Sequence, residues 1–131
     1  MTSKGTYEEI GRKIINSAFI VHSELGPGLL ESVYEVCLVE ELKARNLSVE
    51  RQFHLPVVYK GKQLDKDFFI DLLVEKIIAI ELKAVEELLP VHEVQLVTYM
   101  KLADLRLGYL INFNVTKIKF GIKRKVNEYY F

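Results

Sequence analysis

At 131 residues, half of them apolar and 27% charged, the chain has the composition of one folded domain spanning 1–131, large enough to bury a core without disulfides. Its 18 Lys and Arg balance 18 Asp and Glu, which argues against tight, autonomous nucleic-acid binding and leaves room for a local basic surface. The lone Cys37 excludes a disulfide framework and a thiolate metal site, and no apolar run approaches the ~20 residues of a membrane span.

The opening stretch, Met1 to Tyr7, lacks the apolar core of a signal peptide, so the expected home is the cytoplasm. A helix is predicted from Tyr7 to Leu25, because Ile14, Ile15, Ala18, Val21, His22 and Leu25 recur at helical spacing. Gly26-Pro27-Gly28 stops it. A second helix is predicted from Leu29 to Arg45, with the stripe Leu30, Val33, Tyr34, Cys37, Leu38 and Leu42, and Asn46 marks its end. Val49 to Tyr59 reads as a strand in which Pro56 signals an edge or a bulge, followed by a turn at Tyr59-Lys60-Gly61-Lys62. Lys66 to Val74 and Ile77 to Leu82 read as a hairpin turning at Glu75-Lys76. Their nearly continuous apolar runs indicate strands covered on both faces. Pro90 opens a third helix, to about Ala103, whose stripe is Val91, Val94, Gln95, Thr98, Tyr99 and Leu102. Leu107 to Phe113 and Ile118 to Val126 complete the order α-α-β-β-β-α-β-β.

The hairpin carries the chemistry. It sets Asp71 beside Glu81-Leu82-Lys83, and charged side chains in the middle of apolar strands are costly unless something uses them. Asp71 and Glu81, on neighbouring antiparallel strands, are expected to share a divalent cation; the plain alternative is a salt-bridged structural pair. Lys83 leaves the same strand face as Glu81, where an ammonium lowers the pKa of an attacking water and holds a phosphate oxygen. Its plain alternative is an exposed lysine paired with Glu86.

Further motifs accompany these residues. Gly28-Leu-Leu-Glu31-Ser-Val-Tyr34 reads G-x-x-E-x-x-Y and follows His22-Ser-Glu-Leu-Gly26-Pro27; downstream stand Gln95-Leu-Val-Thr-Tyr99 and Gly108-Tyr-Leu-Ile-Asn112-Phe113. In order, from about Ile10 to Lys125, this set resembles the GxxExxY family, a branch of the PD-(D/E)xK nuclease superfamily. The position before Asp71 is Ile70 where the superfamily's name has proline. The resemblance implies a restriction-endonuclease-like α/β core, a mixed central sheet flanked by helices. It also implies Mg²⁺ or Mn²⁺ held by Asp71, Glu81 and the Leu82 carbonyl, with Glu31 reaching the ion through water. Glu31 equally suits a helix N-terminus. Gln95 and Tyr99 share a helical face, and Q-x-x-x-Y here also resembles the RecB-like exonuclease branch. They are expected to face the sheet on the side of the acidic pair, either aimed at the site or with the glutamine as a buried amide satisfied by backbone.

His22 reads as a satisfied core residue and His54 as solvent-facing; His92 lies near the third helix start, and none is taken as a ligand. Lys117, Lys119, Lys123, Arg124 and Lys125, and separately Lys60, Lys62 and Lys66, form basic clusters that read chiefly as solvated edges. The expected function is a Mg²⁺-dependent nuclease acting on DNA in preference to RNA, with weak affinity of its own, no membrane association, and a homodimer covering the apolar third helix through Leu96, Met100 and Ala103. The rival is a catalytically silent nuclease-fold interaction module. A small-molecule binder has no glycine-rich phosphate loop to support it.

Overall fold

The computed structural model describes residues 2–131. Helices α1 (Lys4–Leu25) and α2 (Glu31–Ala44) come first, then strands β1 (Val49–Leu55), β2 (Val58–Tyr59), β3 (Lys62–Gln63), β4 (Phe68–Val74) and β5 (Ile78–Lys83), helix α3 (Pro90–Leu102), β6 (Leu107–Asn112), a single 3-10 turn (Ile118–Phe120) and β7 (Ile122–Val126). The main sheet runs β1-β4-β5-β6-β7; β5 and β6 are parallel and the other neighbours antiparallel. This is the mixed, helix-flanked sheet of the expected α/β fold.

The largest departures from the expected boundaries are in two strands; elsewhere the ends move by up to three residues, as where α1 begins at Lys4 and β4 at Phe68. The strand expected over 49–59 ends at Leu55, since Pro56 offers no N–H to a ladder, and Val58–Tyr59 pairs with Lys62–Gln63 in a separate hairpin. The strand expected over 118–126 starts at Ile122; before it the chain winds into the 3-10 turn, closed by the Gly121 N–H on the Ile118 carbonyl at 2.8 Å.

The core lies on both faces of the sheet. On one side α1 and α2 bury Ile14, Ala18, Tyr34, Leu38 and Leu42 against Leu72, Ile80 and Ile111. On the other, Leu96 and Met100 of α3 pack on Ile70, Leu73, Ala79 and Leu110. The two parallel strands are therefore covered on both faces, as their nearly continuous apolar runs require: every residue of β6 is buried, and so are those of β5 from Ile78 to Leu82, Glu81 included. Gly108 allows α3 its close approach, because a methyl group there would meet Met100 Sδ at 2.8 Å and Leu96 Cδ1 at 3.1 Å. Among the described residues no helix is long and apolar enough to cross a membrane.

Candidate active site

The turn between β4 and β5 puts Glu75 and Lys76 in the left-handed region (φ 51° and 61°) and sets the register Val74↔Ile78, Leu73↔Ala79, Leu72↔Ile80. One rung further on stand Asp71 and Glu81, and here side chains replace the main-chain acceptors. The Asp71 N–H donates to Glu81 Oε1 at 3.1 Å, and the Leu82 N–H donates to Asp71 Oδ2 at 2.8 Å. The ladder with β1 also omits Asp71: Arg51↔Leu72 and Phe53↔Ile70 pair on either side of it. The alternation of β4 breaks at the same residue, with Ile70 facing α3 and Leu72, two residues on, facing α1 and α2. Asp71 thus sits where the regular sheet is interrupted, and its carboxylate replaces a main-chain acceptor for the Leu82 N–H.

Glu81 is only 7% exposed. Burial, with the Asp71 charge beside it, pushes its carboxyl up to about 8, and Lys83 offsets this only in part. Glu31, at the first turn of α2, is raised by partial burial and by the charges of Asp71 and Glu35, with Lys83 again opposing. The α2 N-terminus, β4 and the end of β5 therefore meet in one electrostatic neighbourhood. A cavity of about 280 Å³ opens there, lined by Glu31, Ser32, Glu35, Gln52 and Leu82.

The G-x-x-E-x-x-Y stretch acquires a local explanation. Gly26 (φ 68°) ends α1, the Tyr34 hydroxyl donates to its carbonyl at 2.6 Å, and the same hydroxyl accepts from the Leu29 N–H at 3.1 Å. Tyr34 also stacks on Phe113, with ring centroids 4.6 Å apart. The tyrosine ties down the connection that delivers Glu31. Beyond Lys83, the wholly buried Asn112 accepts from the N–H groups of Val85 (3.0 Å) and Asn114 (3.2 Å) and donates to the Val85 carbonyl (2.9 Å). Asn112 lies beside Lys83 in the β5–β6 register, so its amide fixes the chain just after the lysine.

Three participants are absent from the sequence reading. Glu35, 8% exposed, accepts from Arg51 Nη2 at 3.1 Å and from Gln52 Nε2 at 2.9 Å, and Gln52 Nε2 also donates to Asp71 Oδ1 at 3.3 Å. The signal for Glu35 was its spacing of four from Glu31, which puts both carboxylates on one helical face.

The third helix is rotated from the expected orientation. Gln95 is exposed, Leu96 and Met100 are fully buried, and Tyr99 is half-buried with its ring against Phe68. Gln95 Nε2 donates to the Tyr99 hydroxyl at 3.1 Å, so the glutamine lies at the surface, tied to a tyrosine whose ring packs on the sheet side of α3 as expected. Leu96 and Met100, expected on a second face covered by a partner, form the inward face instead, and Val91 and Val94 face solvent. Of the histidines, His22 Nε2 meets the Val115 carbonyl at 2.7 Å, His54 pairs with Asp67 at 2.9 Å, and the Leu89 N–H donates to His92 Nδ1 at 3.0 Å. None faces the acidic pair through these contacts.

A family model described as the PD-(D/E)XK nuclease superfamily matches residues 8–125, nearly the whole chain. The chain belongs to the PD-(D/E)XK nuclease superfamily. No curated protein and no solved structure matches it. PD-(D/E)XK nucleases generally use divalent metal ions, and the donors here fit such an ion. Asp71 and Glu81 are adjacent hard oxygen donors, and a cation would take the place of the proton that burial and the Asp71 charge favour on Glu81. Among the described residues no three His, Cys, Asp or Glu side chains are grouped so as to hold a metal ion, so the side-chain donors are the Asp71–Glu81 pair without Glu31 in direct reach.

Proposed function

We propose that this PD-(D/E)XK protein is a metal-dependent nuclease of the GxxExxY branch, using Mg²⁺ or Mn²⁺ and acting on DNA in preference to RNA. The observation that carries the proposal is the hydrogen-bonded Asp71–Glu81 pair at the break in the sheet, with Lys83 two residues beyond. Asp71, Glu81 and the Leu82 carbonyl would hold the ion, with Glu31 reaching it through water. When bound, the ion supplies charge stabilisation at phosphorus and acidifies water. Lys83 orients the attacking water and a non-bridging phosphate oxygen, favouring the hydroxide and the charge that builds as the P–O bond breaks in line. Gln95 and Tyr99, linked at the surface of α3, serve as contacts to the substrate backbone.

The balanced charge supports weak affinity that falls steeply with salt. Exposed Val91 and Val94, each 62% accessible, support a homodimer through the outer face of α3. Half-buried Cys37 suits a reducing cytoplasm. Purified protein incubated with single- and double-stranded DNA and RNA in Mg²⁺ or Mn²⁺ tests the reading. Cleavage of DNA that stops on chelation and in Lys83→Ala is expected. Absence of both cleavage and metal binding would leave the interaction-module alternative.

A further inference from the structure

Gln52 is the one residue of β1 that steps out of the sheet while its neighbours stay in. Arg51 pairs with Leu72 and Phe53 with Ile70, an unchanged register that sets Gln52 directly opposite Asp71. That rung is missing, and the Gln52 backbone lies in the left-handed region at φ 49°. Such a conformation is strained for a residue that is neither glycine nor asparagine, and strained backbone persists where surrounding structure holds it. Its effect is visible in the hydrogen bonds. The side-chain amide faces the two acids, donating through Nε2 to Glu35 Oε1 at 2.9 Å and to Asp71 Oδ1 at 3.3 Å. Each proton of the amide nitrogen thus serves one carboxylate, placing a neutral double donor between two negative groups. Arg51, beside it, holds the other oxygen of Glu35 at 3.1 Å. Glu35 is thereby anchored on α2 and Gln52 on Glu35. Asp71 is held at both oxygens, by the Gln52 amide at Oδ1 and by the Leu82 N–H at Oδ2.

We propose that Gln52 is a positioning residue for the metal ligand Asp71: the strained backbone at Gln52 keeps its amide between Glu35 and Asp71, fixing the Asp71 carboxylate for a divalent cation. This rests on the metal-site reading above. Hydrogen bonds that orient a ligand from behind commonly contribute 10–100-fold to metal affinity. A purely structural role has a different signature, because Gln52 is exposed and its conformation is one that glycine adopts freely.

The test uses the full chain, with Mn²⁺ binding followed calorimetrically and unfolding followed in urea with chelator present. Gln52→Gly removes the amide and relieves the strain; Gln52→Ala removes the amide and keeps the strain. Both variants are expected to bind Mn²⁺ about tenfold or more weakly than wild type, while Gln52→Gly unfolds at no lower urea concentration than wild type and at a higher one than Gln52→Ala. Asp71→Ala, expected to lose binding, confirms that the signal comes from this site. Wild-type Mn²⁺ affinity in both Gln52 variants, with Asp71→Ala still deficient, overturns the proposal and leaves the metal site standing. Tighter binding by either variant also overturns it, since the amide would then be competing with the ion. No Mn²⁺ binding by wild type refutes the metal-site reading and this proposal together.

Discussion

Glu81→Gln should stabilise the metal-free protein, by an amount that depends on pH. Glu81 is 7% exposed and its carboxyl is raised from 4.5 to about 8 by burial and by Asp71. Below pH 4.5 the group is protonated in both the folded and unfolded chain and costs nothing. Between pH 4.5 and 8 the unfolded chain releases the proton and the folded chain keeps it. Stability then falls as pH rises, at about 1.4 kcal/mol per pH unit. At pH 7 the accumulated cost is on the order of 3 kcal/mol, and it levels off above pH 8. Glutamine is neutral throughout, nearly isosteric, and still accepts from the Asp71 N–H through its Oε1. Urea unfolding in chelator, repeated from pH 4.5 to 8, should show wild type and variant converging at the acid end and separating toward neutrality in favour of the variant. Saturating Mn²⁺ should narrow the gap by stabilising wild type more. A pH-independent difference, or a variant less stable than wild type at pH 7, would refute the reasoning.

Lys83→Ala should abolish DNA cleavage while calorimetry still detects Mn²⁺ binding, and Asp71→Ala should lose both; cleavage that survives Lys83→Ala would mean that the lysine takes no part. Leu96→Ala, at a fully buried position against Gly108, should cost about 2–5 kcal/mol in urea unfolding, whereas exposed Gln95→Ala should fall within about 0.5 kcal/mol of wild type. The opposite order would restore the helix rotation expected from the sequence. Val91→Asp with Val94→Asp should convert a dimer to a monomer by light scattering at micromolar concentrations, leaving the urea midpoint of the monomer unchanged.

The β4–β5 hairpin was legible because a short turn and uninterrupted apolar strands leave little freedom in register. Once Glu75 and Lys76 turn, Asp71 and Glu81 come level. The α3 rotation was not legible for a specific reason. The helix is apolar on two sides, so the stripe Val91–Val94–Thr98 and the stripe Leu96–Met100 are equally good hydrophobic faces in isolation. The choice is made on another element, where Gly108 leaves a notch that Leu96 and Met100 fill. Gln52 was hidden more deeply, since nothing in Val-Glu-Arg-Gln-Phe-His-Leu marks a left-handed residue in mid-strand. Its conformation reflects the charges it meets on α2 and β4, which local propensity does not report.

The grip of Asn112 on Val85 has a consequence for engineering the protein. Its amide accepts from and donates to the same peptide-bonded residue, acting as one more rung beyond the end of a parallel ladder. The rung gives the chain after Val85 a fixed starting point independent of how the following loop runs. Lengthening the segment at Glu86–Glu87, ahead of Leu88 that packs on the core beneath α3, should therefore leave the lysine in place. An insertion two residues earlier would shift everything that the rung holds in place.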